Sequence, residues 1–270
     1  MVPERAEGRG DISFVFCRVP VCVKESPDMK CIFLSDAHLK SGRDRGYRDV
    51  MRFLDALGAE KLERLFIAGD FFDFWFGRRD RVYPDFEPVI DRLMRLRDAG
   101  AQIGLCEGNH DFFLEDYFAG IQGITVYRES AVVDLEGRKT LVAHGDLVDR
   151  ENRGYLLLRK ILRSGLFYRM QRNLPLRVLW TLARISSSTS RELYPQKEEE
   201  LVGKMRAFAK ERFNEGFDSV ILGHSHKPLL EECVIAGRRK IFATLGDWMR
   251  HNSYLCCRDG VFSLLYYKAE

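Results

Sequence analysis

The sequence predicts an α/β fold that ends in antiparallel β, and three observations predict it. Short apolar runs at residues 31–35, 65–68, 102–106, 140–143 and 219–222 are each followed by glycine or polar residues, as buried strands are. Helical patterns lie between several of them, at 47–62, 87–98 and 197–214. Beyond Pro228 short strands at 229–235, 240–244, 254–257 and 261–267 are separated by Gly237 and Asp259-Gly260, so hairpins and a mixed sheet or sandwich are expected.

Taken in order, residues 1–29 read as an N-terminal extension. Glu4, Glu7 and Asp11 stand where a secretory signal is basic, Arg18 interrupts the apolar stretch, and Met29 directly precedes the first motif strand. Residues 30–270 then read as one domain, of ordinary size for an α/β unit with an insertion. The repeating unit is strand, polar loop, helix. In open α/β sheets such loops gather outside the carboxyl ends of the strands, so distant motifs converge.

Residues 147–196 break the alternation. Leucines, arginines and aromatics recur there at helical spacing, with breaks near Gly165 and Pro175 and a serine-rich link at 186–190, which reads as an inserted helical cap. Between Arg150 and Arg191 the only acid is Glu151. Leu156-Leu157-Leu158, Ile161-Leu162 and Leu166-Phe167 among these cations suit a basic helix on an anionic surface, with Arg159, Lys160 and Arg163 expected to meet headgroups or phosphates.

The overall charge is only +3, and no apolar run approaches the roughly 20 residues that span a bilayer. The 7 cysteines include no CxxC pair, which argues against a disulfide framework or a structural zinc knot and for a reducing compartment. The cap carries charge without a recognised nucleic-acid fold, so no nucleic-acid partner is expected.

Five of the 6 histidines fall in short motifs at strand ends. The motifs are Asp36-Ala37-His38, Gly69-Asp70-Phe71-Phe72-Asp73, Gly108-Asn109-His110-Asp111, His144-Gly145-Asp146 and Gly223-His224-Ser225-His226. Imidazoles, carboxylates and one amide delivered together are donors for two hard-to-borderline divalent cations. Asp36 and His38 are two apart, so a bend must bring both to one ion. Gly69 allows the close approach that lets Asp70 bridge two ions about 3.5–4 Å apart.

Two such ions meet the needs of phosphate-ester hydrolysis, which are a nucleophile from water and neutralised phosphoryl oxygens. His110, beside Asn109, is placed to protonate the leaving group, and Asp111 to orient His110 or hold its loop. Asp73 and Asp146 read as supports for the ligand loops. Phe71, Phe72, Phe74, Trp75 and Phe76 read as packing, and His251 as an ordinary loop residue.

These blocks, in this order from Asp36 to His226, resemble the calcineurin-like metallophosphoesterase superfamily, whose pattern is DxH, GDxxD, GNH[DE], a lone H and GHxH. The resemblance implies a sandwich of two mixed β-sheets flanked by helices. It implies one metal held by Asp36, His38, Asp70 and His226 and another by Asp70, Asn109, His144 and His224. Mn²⁺ is the usual occupant, with Fe or Zn as alternatives.

Ser35 to Leu39, Gly69 to Gly77, Gly108 to Phe112 and Leu245-Gly246-Asp247-Trp248 look like the UDP-2,3-diacylglucosamine pyrophosphatases of the lipid A pathway. That likeness implies hydrolysis of a UDP-linked diacyl sugar to UMP and the lipid 1-phosphate, with a cap after the lone histidine. Tyr155, Asn109 and His224 would lie on the substrate side. It also implies a cytoplasmic protein in peripheral contact with the inner membrane. The best-known members carry Arg where this chain has His110, the commoner superfamily choice. The alternative is a metallophosphoesterase for another nucleotide, lipid or protein phosphate ester.

Overall fold

The computed structural model describes residues 17–18, 31–59, 62–75, 82–173 and 198–268. In chain order the elements are β1 (Cys17–Arg18), β2 (Cys31–Leu34), α1 (Arg45–Gly58), β3 (Arg64–Ala68), α2 (Glu87–Asp98), β4 (Gln102–Cys106), α3 (Glu115–Phe118), β5 (Ile124–Tyr127), β6 (Ser130–Leu135) and β7 (Arg138–Ala143). There follow α4 (Arg153–Leu162), α5 (Gly165–Asn173), α6 (Glu198–Asn214), β8 (Ser219–Leu222), β9 (Pro228–Ile235), β10 (Arg238–Leu245), β11 (Ser253–Arg258) and β12 (Val261–Tyr266).

Two six-stranded mixed sheets result, ordered β1-β9-β10-β8-β7-β6 and β12-β11-β2-β3-β4-β5. In the second sheet β2, β3, β4 and β5 run parallel, and in the first β7, β8 and β10 do. Strand alternation builds the layers. Ile32, Leu34, Leu65 and Ile67 point to one core with Val50, Phe53, Leu54 and Leu57 of α1 and Val89, Ile90, Leu93 and Leu96 of α2. The intervening Phe33, Phe66 and Ala68 meet Val142, Ile221 and Ala243 of the other sheet. Leu141, Ala143, Val220 and Leu222 face outward onto Met205, Ala209 and Phe213 of α6. The expected sandwich of mixed sheets flanked by helices is therefore present.

The five motif strands and the hairpin strands lie within a few residues of their expected places. The turns Ala236-Gly237 and Asp259-Gly260 have positive φ at both residues (49° and 73°, 47° and 71°), the twist that a two-residue hairpin loop requires. α1 stops at Gly58, short of Leu62. Leu62 joins the same core, but five residues beyond Leu57 it is off the helical repeat. The sequence reading omits β5 and β6, which are the edge strands of the two sheets and bury only part of their side chains.

Two residues of the N-terminal extension form the edge strand β1, antiparallel to β9. Of the expected cap, residues 153–173 form α4 and α5, with Gly165 opening α5; Pro175 and the serine-rich link lie outside the described residues. Among the described residues no helix is long and apolar enough to cross a membrane. Phe71, Phe72, Phe74 and Trp75 are buried as expected, the last three packed around Phe86 and Phe71 against Phe72; Phe76 lies outside the described residues.

Candidate metal centre

All five motifs leave the carboxyl ends of parallel strands: β2, β3 and β4 from one sheet, β7 and β8 from the other. The bend that Asp36 and His38 require is a left-handed backbone at both, with φ of 52° and 44°. Asp70 (51°), His224 (65°) and His226 (55°) share it, so five of the seven expected ligands sit in a region that costs non-glycine residues about 1–3 kcal/mol each. Such strain persists where surrounding bonds over-determine it. Here Asp36 N donates to Gly69 O (3.1 Å), His38 N to Asp70 O (2.9 Å), and His224 N to Asp36 Oδ2 (2.9 Å), lacing three loops together.

Glycine is needed for the closest approaches. At Gly108 a Cβ would lie 2.1 Å from Asp70 Oδ1 and 2.4 Å from Asp70 N. At Gly69, with φ of 84°, it would lie 2.6 Å from His144 Nδ1. Any larger residue at either position displaces an expected ligand.

The ligand atoms of Asp36, His38 and His226 lie within 4.8 Å of one another, as do those of Asp70, His144 and His224. Asp70 Oδ2 reaches both sets, at 3.7 Å from His38 Nε2 and 3.4 Å from His144 Nε2. Asn109 Oδ1 stands 2.9 Å from His144 Nε2. The seven residues singled out by the motifs are thus brought together.

Two observations make this donor set fit cations. Asp36 Oδ1 and His38 Nε2 are buried with no hydrogen-bond partner. His144 Nδ1 faces the Ala68 carbonyl at 3.1 Å, and a carbonyl only accepts, so that nitrogen carries the proton. In the neutral ring Nε2, Asn109 Oδ1 and Asp70 Oδ2 then face one another as three acceptors, a place for a cation. Burial disfavours a charged ring there, but Asp70 lifts the His144 pKa to about 10, so a positive charge is favoured at this place. Burial and the charge of His144 push His224 down to about 4, leaving it the neutral imidazole that ligates.

Two of the rings have a carboxylate close behind them. Asp73 Oδ1 lies 3.6 Å from His38 Nδ1, and Asp247 Oδ2 lies 3.6 Å from His226 Nδ1. Burial raises the Asp247 carboxyl, but His226 and the Arg250 N–H hold it at about 2. Asp247 and its second histidine, His251 (Nδ1 3.4 Å away), are absent from the sequence reading of the site. A signal existed, because Gly246-Asp247 repeats at the end of β10 the glycine-acid pair of Gly69-Asp70.

His110 donates its backbone N–H to Asp70 Oδ1 (2.9 Å), and its Nδ1 faces the Asp73 carbonyl (3.0 Å), so Nδ1 holds the proton and Nε2 is left to exchange one. Of the two roles expected for Asp111, the structure has the second. Its fully buried carboxylate does not orient the His110 ring but accepts from the N–H groups of Gly108, Asp70, Phe71 and Phe72 at 2.7–3.1 Å, tying the β3 and β4 loops. Burial and the charge of Asp70 raise its pKa, and the N–H groups of Gly108 and Phe72 oppose them by favouring the charged form.

The cap departs from expectation at Arg159 and Arg163. Tyr155, expected on the substrate side, donates its hydroxyl to Asp146 Oδ2 (2.6 Å). Arg159 and Arg163, expected to meet anionic headgroups, instead turn inward onto Asp146 and Glu107 (both 2.8 Å). The reason is that buried carboxylates need a partner more than a solvated surface needs a cation. Only Lys160 of the three cations stays exposed.

Motifs from two facing sheets that converge on a paired-cation donor set define a metal-dependent phosphoesterase. The chain belongs to the calcineurin-like phosphoesterase family, whose model matches residues 29–228. It is 33% identical over 237 residues to a UDP-2,3-diacylglucosamine hydrolase of Pseudomonas putida, covering 86% of this chain and 97% of that protein. The protein of that name from Pseudomonas entomophila is 34% identical with the same coverage. That from Aeromonas salmonicida is 32% identical over 235 residues, covering 86% of this chain and 91% of the relative. A solved archaeal phosphodiesterase aligns over 88% of this chain and 99% of its own at 12% identity and a TM-score of 0.47, which adds nothing to the assignment.

Proposed function

We propose that this chain hydrolyses the pyrophosphate bond of UDP-2,3-diacylglucosamine to UMP and 2,3-diacylglucosamine 1-phosphate in lipid A biosynthesis, working at the cytoplasmic face of the inner membrane. The observation that carries the reading is a cap with an apolar outer face docked on the loops of the metal centre, in a chain whose relatives bear that hydrolase name over nearly their whole length.

Asp36, His38, Asp70 and His226 would hold one divalent ion and Asp70, Asn109, His144 and His224 the other. Mn²⁺ is the proposed occupant, since carboxylates and an amide beside imidazoles suit a hard-to-borderline ion. When bound, the pair activates water and neutralises charge on the phosphoryl oxygens. The chain's own groups do the rest. Asp70 joins the two ligand sets. His110, in its doubly protonated form with the Nδ1 proton held by Asp73 O, delivers its Nε2 proton to the departing oxygen and is left as the neutral Nδ1–H ring. Asn109 and His224, partly exposed beside these groups, border the substrate. Product analysis by ³¹P NMR and mass spectrometry is expected to find UMP and a lipid phosphate. Phosphate-ester turnover without UMP would select the alternative, another nucleotide, lipid or protein phosphate.

The apolar face of the cap is the proposed lipid contact. Leu157, Leu158, Ile161, Leu166 and Met170 are 61%, 53%, 52%, 80% and 52% exposed, with Arg153, Lys160 and Arg169 exposed among them. Leucines left in water at this density favour transfer to an apolar phase by about 1.5–3 kcal/mol each when fully buried. Leu157→Ser with Leu166→Ser is therefore expected to lower association with anionic lipid vesicles at least about tenfold in a co-sedimentation assay. Unchanged association would remove the lipid contact from the reading.

A further inference from the structure

We infer that cap helix α4 is built into one of the two metal positions: Arg159 and Arg163 act as positioning residues that hold the loops carrying His144 and Asn109, and thereby set the affinity of that position alone. The inference rests on the ligand assignment proposed above. Tyr155 and Arg159 of α4 and Arg163, which caps its C-terminus, are spaced by four and share the face turned to the protein, opposite the exposed Leu157 and Ile161.

Each arginine meets a buried carboxylate two residues from an expected ligand. Arg159 Nε donates to Asp146 Oδ2 (2.8 Å), the same oxygen that takes the Tyr155 hydroxyl, and Asp146 follows His144 by two. Arg163 donates to Glu107 Oε2 (2.8 Å), to Arg128 O (3.1 Å) and to Gly108 O (2.7 Å), the carbonyl directly before Asn109. The other oxygen of Glu107 accepts from Leu114 N (3.0 Å), so the Asn109 loop is held on both sides. Asp146 and Glu107 are only 5% and 3% exposed, and a buried carboxylate stripped of its cation forces its loop to rearrange.

The other position has a different support. Among the described residues, His38 and His226 are backed by Asp73 and Asp247, which come from the strand-end loops and not from the cap. Support from the cap therefore falls on the Asn109 and His144 pair. A ligand that displaces α4 changes the affinity of that position for its ion, and by linkage the ion changes the affinity of the cap for the ligand.

Calorimetric titration of the chelator-stripped chain with Mn²⁺ alone tests this. The unaltered chain is expected to take up two equivalents. Arg163→Ala should weaken one of them about 10–100-fold, the usual effect of losing the group behind a ligand, and leave the other within about twofold. Arg163→Lys, which keeps the charge and so guards against a folding defect, should weaken the same equivalent, because an ammonium lacks the planar fork that spans Glu107 and the Gly108 carbonyl. Lys160→Ala, on the exposed face of the same helix, should change neither. Excess Mn²⁺ should restore bis-p-nitrophenyl phosphate turnover to Arg163→Ala. Both affinities unchanged in Arg163→Ala and Arg163→Lys, or both weakened alike, would overturn the inference while the two-ion reading stands. Fewer than two equivalents in the unaltered chain would overturn both. No substrate enters the titration, so a product other than UMP leaves the inference intact.

Discussion

Asp70→Asn is expected to lose both bound ions and at least about 10³-fold in turnover, the largest effect of any single substitution in the chain. Asp70 Oδ2 is the atom that reaches both ligand sets, and the carboxyl is buried among His144, His110 and His38. Burial works against its charge, yet those three histidines together hold it well below the usual carboxylate range, so its negative charge is what the site is arranged around. Asparagine retains what the fold asks of this position. It tolerates the left-handed backbone (φ 51°), and its amide oxygen can still accept from His110 N. Elemental analysis beside bis-p-nitrophenyl phosphate turnover checks the prediction. Two tightly held ions per chain in the folded variant would show that Asp70 is not the bridge.

His110→Ala should do the opposite with the metals. Its backbone N–H still serves Asp70, and all seven expected ligands remain with only an edge-on ring contact to His38 lost, so both ions stay. Loss of the Nε2 proton donor should cost about 10²–10⁴ in kcat, or about 3–5 kcal/mol of transition-state stabilisation. The deficit should be greatest for substrates with poor leaving groups and smallest for p-nitrophenyl esters, whose leaving oxygen departs unprotonated. A variant that loses metal as readily as Asp70→Asn, or one whose deficit ignores the leaving group, would refute the division of labour between the two residues.

The motifs and their strand-end setting were legible because each is a local pattern. An apolar run, then glycine and a polar donor, can be recognised in any window that holds it, and five such windows in order identify the chemistry. The edge strands β5 and β6 were harder to read, since each buries only part of its surface and bounds no motif. Asp247 and His251 lie more than 20 residues beyond the last histidine motif, and only the return of β10 beside β8 puts Asp247 behind His226. Arg159 and Arg163 read as surface cations because helical spacing gives a face, not what lies against it.

By itself the sequence determined which donors exist, that they stand at strand ends, and that the chain is a phosphoesterase of two mixed sheets. Local periodicity and side-chain chemistry suffice for the donors and their places, while the phosphoesterase class and the pair of mixed sheets follow from the likeness of the five blocks to a known family. Tertiary structure alone decided how a bend brings Asp36 and His38 together, which carboxylate lies behind which imidazole, and which buried acids the cap's arginines meet. Those outcomes depend on left-handed turns held by bonds from other loops, and on buried charges whose partners are 13 and 56 residues away along the chain.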